Sequence, residues 1–272
     1  MTQPTPLTDL QALARNRARA DGSSLFLQEA ARDEIKDRVA MVNKSFSSTG
    51  IVAAFPELWH RHIEGAQIVD EAETLPLSQG KHDLVIHSLG LHWANDPVGQ
   101  LIQCRRALCA DGLLLAVALG GQTLHELQAC LAEAEIAETG GLSPRVAPMA
   151  EVRDLGALLQ RAGFALPVAD TVPLRVQYQS IWHLMHDLRA MGETNALTSR
   201  SRLPTRANIL KRAADIYAAT FPGDDSGVIA TFELIVLTGW APDDSQQKPL
   251  RPGSARARLA DALRTDETSL PD

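Results

Sequence analysis

Leu113 to Leu119 is an unbroken apolar run, bounded by Asp111-Gly112 before it and Gly120-Gly121 after it. The run is strand-sized and shows no alternation, so neither face of the strand can be left in water. Such a strand belongs in the middle of a parallel sheet with helices on both sides. His82 to Ser88 reads as a second strand of the same sheet, and Thr49–Ala54 and Ala66–Val69 as two shorter ones. Helical patterns lie between. Asp96-Pro97 places a capping side chain before a proline at the first helical position. Val98, Leu101, Ile102 and Leu108 then line one face, up to Asp111-Gly112. Alternating strands and helices predict an α/β layer with a mostly parallel sheet.

The rest of the chain fits around that sheet. Asp9 can cap a helix from Leu10 to about Arg19, and Ser23 or Ser24 opens an amphipathic pattern through Phe26, Ala30, Ile35, Val39, Val42 and Phe46. A helix is expected from Thr123 to Ala137 and another from Leu155 to Arg161. Val168–Val176 and Ile229–Trp240 read as an antiparallel C-terminal strand pair, separated by helices at about 181–191 and 206–220. The expected organisation is an N-terminal helical segment over 1–47, a domain over 48–241, and a mostly disordered tail over 242–272 with a short helix near 255–263.

Charge and cysteine usage narrow the function classes. The net charge of -7 excludes a generally basic nucleic-acid surface. No apolar run reaches the roughly 18 residues of a membrane span, and the N-terminus shows no signal-peptide pattern. Cys104, Cys109 and Cys130 have no metal-site spacing and read as reduced thiols on the helices 98–109 and 123–137, consistent with a cytoplasmic protein. His183 and His186 have no third ligand at suitable spacing, and His60 and His62 read as surface residues, so no metal is expected.

Three segments, in order, carry a family resemblance. His82 to Pro97, with Ser88-Leu89-Gly90 and His92-Trp93-Ala94-Asn95-Asp96, resembles the fourth strand and following loop of class I S-adenosylmethionine (SAM) methyltransferases. Glu71 to Leu77 resembles their third-strand loop, and Arg106 to Gly112 their turn before strand five. Gly120 to Leu127, Gly140 to Arg145, Asp154 to Phe164, Met191 to Asn195 and Gly239-Trp240 are similar to the complex I assembly factor 5 branch, near the malonyl-acyl-carrier-protein methyltransferases. The resemblance implies a Rossmann-like methyltransferase sheet and SAM as cofactor. It also implies a small-molecule or protein substrate, such as a respiratory complex subunit. Cofactor contacts would fall at Ala53, Glu71, Ser88 and Leu89, with Glu71 on the adenine side.

The chain departs from the family at the cofactor. After strand one it reads Ala53-Ala54-Phe55-Pro56, where the family places a glycine loop whose backbone N–H groups approach the ligand. Proline also removes a donor. From Ile51 to Lys81 there are 31 residues, whereas a β-α-β-α-β path needs roughly 45 to 50. One βα unit is therefore expected to be missing, and SAM binding impaired or lost. Asp70 is the one substitute for the ribose carboxylate.

The pocket candidates are His92, Trp93 and Asn95, weighed against simple packing and helix capping under the loop. A partner or substrate loop is expected from Gly120, Gly121, Thr123, Arg145, Glu193 and Asn195. There, Gly120-Gly121 could hold an anion at a helix start or form a plain turn with Thr123 as cap. Arg145 could pair with Glu193. Two functions remain open: a methyltransferase of the assembly-factor type, and a non-catalytic interaction factor that reuses the fold.

Overall fold

The computed structural model describes residues 5–247 and Thr265. Two helices come first, α1 (Leu10–Arg17) and α2 (Phe26–Met41). They are followed by β1 (Thr49–Ala53), α3 (Glu57–His60), β2 (Gln67–Val69), β3 (His82–Ser88), α4 (Pro97–Ala107), β4 (Leu108–Leu119), α5 (His125–Thr139) and α6 (Val152–Arg161). Next come β5 (Ala165–Tyr178), α7 (Ile181–Ala190), α8 (Ala207–Thr220) and β6 (Val228–Trp240).

Six strands form one sheet in the order β2-β1-β3-β4-β6-β5. β2, β1, β3 and β4 run parallel, and β6 is antiparallel to both β4 and β5. Only one βα unit, α3 and β2, lies between β1 and β3. That is the shortened path the residue count demanded.

The continuous apolar run finds its explanation in β4. Leu113, Leu115, Val117 and Leu119 enter a core shared with α2, α5, α7 and α8. Leu114, Ala116 and Ala118 enter a second core against α4 and α6. Both faces are dry, so no polar position survives in the run. Each fully buried leucine contributes about 1.5–3 kcal/mol.

Local signals at helix starts mostly act as chemistry requires. Asp9 accepts a hydrogen bond from the Ala12 N–H, and Asp96 accepts one from the Gly99 N–H with Pro97 opening α4. Several boundaries shift by two or three residues, and two shifts change what a residue does. α4 stops at Ala107, and the chain enters β4 at Leu108 through a bulge: His82 faces Leu108, yet Leu84 faces Leu113. Asp111 in the bulge adopts a left-handed φ of 57°, which aspartate tolerates. Cys109 therefore sits on a strand, not on a helix. α2 ends at Met41, short of Val42 and Phe46, which still pack against the core as loop residues.

Residues 1–242 form one unit and residues 243–272 a second. In the second unit, Asp243 accepts hydrogen bonds from the Ser245 N–H and hydroxyl. The helix expected near 255–263 lies outside the described residues.

Candidate functional site

Ligands of open parallel sheets bind beyond the carboxyl ends of the strands. Two cavities open there, one on each side of Trp93. The first, about 560 Å³, is lined by Ala54 after β1, Asp70 and Glu71 after β2, Gly90 after β3, and Arg17 of α1. The second, about 480 Å³, has an apolar wall that includes Leu119, Leu124 and Met149, with Arg145, Glu193 and Asn195 among its polar residues. Trp93 lines both. α1 forms part of both walls, with Leu10, Leu13, Ala14 and Arg17 in the first and Asn16 in the second.

His92 and Trp93 belong to a 3₁₀ turn over Leu91–Trp93. Both point at Glu193. The Trp93 indole N–H donates to Glu193 Oε2 at 2.7 Å, and His92 Nε2 donates to the same oxygen at 3.3 Å. The Leu119 N–H donates to His92 Nδ1 at 3.4 Å, which leaves the imidazole proton on Nε2. Burial alone would raise the Glu193 carboxyl. The His92 hydrogen bond, the Arg17 charge and the Trp93 hydrogen bond outweigh burial and hold it below the usual carboxylate range. Its side chain is only 7% exposed. Oε1 of Glu193 is buried with no partner among the described residues.

A second polar group underlies the first cavity. Arg17 and Glu71 form an ion pair through Nη1 and Oε2. Nε and Nη2 of Arg17 and Oε1 of Glu71 are buried without partners, as are Ser88 Oγ and His87 Nδ1. His87 Nε2 lies 2.8 Å from Gln100 Oε1, and burial pushes its imidazole below its ordinary value, toward the neutral form. Buried polar atoms in folded proteins are almost always paired. Of these residues only Arg17 and Glu71 line the cavity, and their orphaned atoms lie just beneath its wall.

The other sequence-derived candidates divide by position. Ala53 ends β1 beside Ser88, both buried. Leu89 is fully buried and holds a left-handed φ of 50°, with its N–H on the Val117 carbonyl at 2.8 Å. Asn95 binds backbone, accepting from the Thr8 N–H at 2.8 Å and donating to the Thr8 carbonyl at 3.1 Å. Asn195 likewise accepts from the Leu197 N–H and donates to the Pro144 carbonyl. Gly120, Gly121 and Thr123 line neither cavity. A Cβ on Gly120 would meet Ile235 Cδ1 at 2.2 Å, and one on Gly121 would meet Glu233 Oε2 at 2.3 Å. Thr123 donates to the Gly120 carbonyl and accepts from the Glu233 N–H, so it ties its loop to β6 and does not cap α5. Arg145 does not pair with Glu193. It grips Glu135 with Nη2 at 2.7 Å and Nε at 3.1 Å, and Thr205 with Nη1.

Arg17 escaped the sequence reading. A basic residue in the last turn of a helix reads as a partner of the helix dipole, and nothing in its spacing points to a cavity. His60, His62, His183 and His186 are exposed. Among the described residues no three His, Cys, Asp or Glu side chains are grouped to hold a metal, and no helix is long and apolar enough to cross a membrane.

The fit to SAM differs between its two ends. Asp70 stands at the end of the strand beside β1 and lines the cavity, a position suited to ribose hydroxyls. The turn after β1 does not fit the amino-acid end, because Pro56 supplies no N–H and opens α3 without a side-chain cap.

Residues 46–116 match the model of the family described as Methyltransferase domain. The chain is 39% identical over 194 residues to "Arginine-hydroxylase NDUFAF5, mitochondrial" of Danio rerio, which covers 71% of this chain and 60% of that protein. It is 38% identical over 193 residues to the Homo sapiens protein of that name, covering 71% and 56%. To the malonyl-[acyl-carrier protein] O-methyltransferase of Laribacter hongkongensis it is 32% identical over 188 residues, covering 69% and 61%. The chain thus spans about 60% of the length of the first of these relatives. The Haemonchus contortus phosphoethanolamine N-methyltransferase 2, solved in complex with S-adenosyl-L-methionine, overlays 78% of this chain and 52% of its own at 10% identity, with a TM-score of 0.41. The chain thus carries a match to a methyltransferase domain over residues 46–116 and is similar over about 70% of its length to the NDUFAF5 and malonyl-[acyl-carrier protein] O-methyltransferase proteins.

Proposed function

We propose that this chain is an assembly-factor-type member of the superfamily that captures an arginine-bearing segment of a protein partner, such as a respiratory complex subunit. The observation that carries this is Glu193. It is a buried, ionised carboxylate at the wall of an apolar cavity, with one oxygen already saturated and the other free. A guanidinium supplies the missing donors, and the adjacent indole of Trp93 suits a planar cation. The apolar wall accepts the methylene stem. The name of the NDUFAF5 relatives, arginine-hydroxylase, agrees with that side-chain class. In this reading, retention of SAM is weaker than in glycine-loop relatives, since the turn after β1 offers no donor row. Binding and positioning of the partner are then the primary activity, and no transfer step is assigned.

Calorimetry with blocked tripeptides centred on arginine or on citrulline tests the proposal. Citrulline has the same shape without the charge. The arginine peptide should bind about tenfold more tightly, and Glu193→Gln should erase the difference. Equal affinity for the two peptides in the unmodified protein would refute it.

A further inference from the structure

The second cavity reverses the charge balance of the chain around it. The net charge of the chain is -7. Yet Arg19, Arg145, Arg189 and Arg200 line this cavity, and Glu193 is its one acidic lining side chain among the described residues. Two of the arginines are neutralised from behind. Arg145 is gripped by Glu135, and Arg200 pairs with Asp9 at 2.9 Å. The side chains of Arg19 and Arg189 are exposed and have no hydrogen-bond or ion-pair partner among the described residues. Asp21, two residues beyond Arg19, is occupied by the N–H and hydroxyl of Ser23.

The two uncompensated cations stand on joined helix ends. Arg19 follows α1, and Arg189 lies in the last turn of α7. The Asp21 N–H donates to the Ala190 carbonyl at 2.7 Å, and the Asn16 side chain donates to the Thr194 carbonyl at 2.8 Å. Gly192, at a φ of +79°, admits the Arg17 backbone so closely that a Cβ there would lie 3.1 Å from the Arg17 Cα. A cation at a helix C-terminus serves the helix dipole wherever its side chain points. Here both side chains also line one cavity, so both act on whatever enters it.

A guest guanidinium bound for Glu193 must approach past these two cations, and like charges repel. Carboxylates beside the guest arginine turn that repulsion into attraction and offer the two guanidinium groups acceptors. We infer that the rim of the second cavity selects a partner segment in which the arginine is flanked by Asp or Glu, with Arg19 and Arg189 holding the flanking carboxylates. The inference rests on the arginine-peptide proposal for the same cavity and specifies the partner it takes.

Calorimetry on the full chain tests it with three blocked pentapeptides centred on arginine and flanked on both sides by glutamate, by serine or by lysine. The glutamate-flanked peptide should bind about fivefold tighter than the serine-flanked one, and the lysine-flanked peptide most weakly. The net charge of the chain alone would give the reverse order, so the ranking reports the local pair. Arg19→Gln combined with Arg189→Gln should remove the ranking without lowering thermal stability or weakening the serine-flanked peptide. Salt at about 1 M should compress the ranking in the unmodified protein. Equal affinities, the reverse order, or no heat with the glutamate-flanked peptide at millimolar concentration would overturn the inference. So would a double variant that weakens all three peptides alike, which would show a structural role. Citrulline-centred versions of the same peptides separate the two proposals. A ranking that persists there with no gain from arginine would sink the arginine reading alone. A gain from arginine without any ranking would sink only the flanking-charge inference.

Discussion

Phe232→Ala is expected to lower folding stability by about 3–5 kcal/mol in urea denaturation. Phe232 is fully buried on β6, so its truncation leaves a cavity in the core. Its ring meets Phe26 of α2 edge-on, with centroids 5.7 Å apart at 81°. An edge-to-face pair adds about 0.5–1.5 kcal/mol beyond area burial. A double-mutant cycle with Phe26→Ala should recover that coupling. The cycle also reports on α2. If the helix were only tethered to the sheet, the coupling would be zero and Phe26→Ala would be silent.

Glu135→Gln is expected to cost about 1–3 kcal/mol at neutral pH and to flatten the acid limb of stability. The Arg145 hydrogen bonds, helped by the Ser143 hydroxyl and N–H, outweigh burial and hold the Glu135 carboxyl down to about 2, against 4.5 when unperturbed. A depressed value means that the folded state favours the ionised form. The stabilisation is therefore complete above 4.5 and is lost as pH falls toward 2. Thermal denaturation across that window should show a steeper slope in the unmodified protein than in Glu135→Gln. Parallel slopes would mean that the cluster contributes nothing to folding. The same substitution should loosen the segment carrying Ser143 and Arg145, which line the second cavity, and so weaken arginine-peptide binding as well.

Much of the architecture was legible because its signals are local. Asp9 and Asp96-Pro97 announce their helices through the donor each one satisfies. The unbroken run in β4 announces burial on two faces, and both faces prove covered. The Gly120-Gly121 pair read as an anion site or a plain turn, and its close packing was not visible in the sequence. Its neighbours are Ile235 and Glu233, more than a hundred residues away. The expected Arg145–Glu193 pair failed for a related reason. Opposite charges on two polar loops suggest a partnership, but each found another partner, Arg145 in Glu135 ten residues before it and Glu193 in Trp93 of the turn after β3. The α4 boundary moved because Asp111-Gly112 marks a bulge inside a strand as readily as the end of a helix.

The sequence by itself determined the alternation of strands and helices, the shortened path between β1 and β3, and the absence of a glycine turn after Ala53. Those properties depend on residue type, spacing and length along the chain. Only the tertiary structure decided that Arg17 meets Glu71, that Trp93 and His92 share Glu193, and that a carboxylate oxygen and a guanidinium edge are left buried and unsatisfied. Whether a polar atom is satisfied depends on groups brought together from 54 to 101 positions apart, and burial removes the water that would otherwise make every such group equivalent.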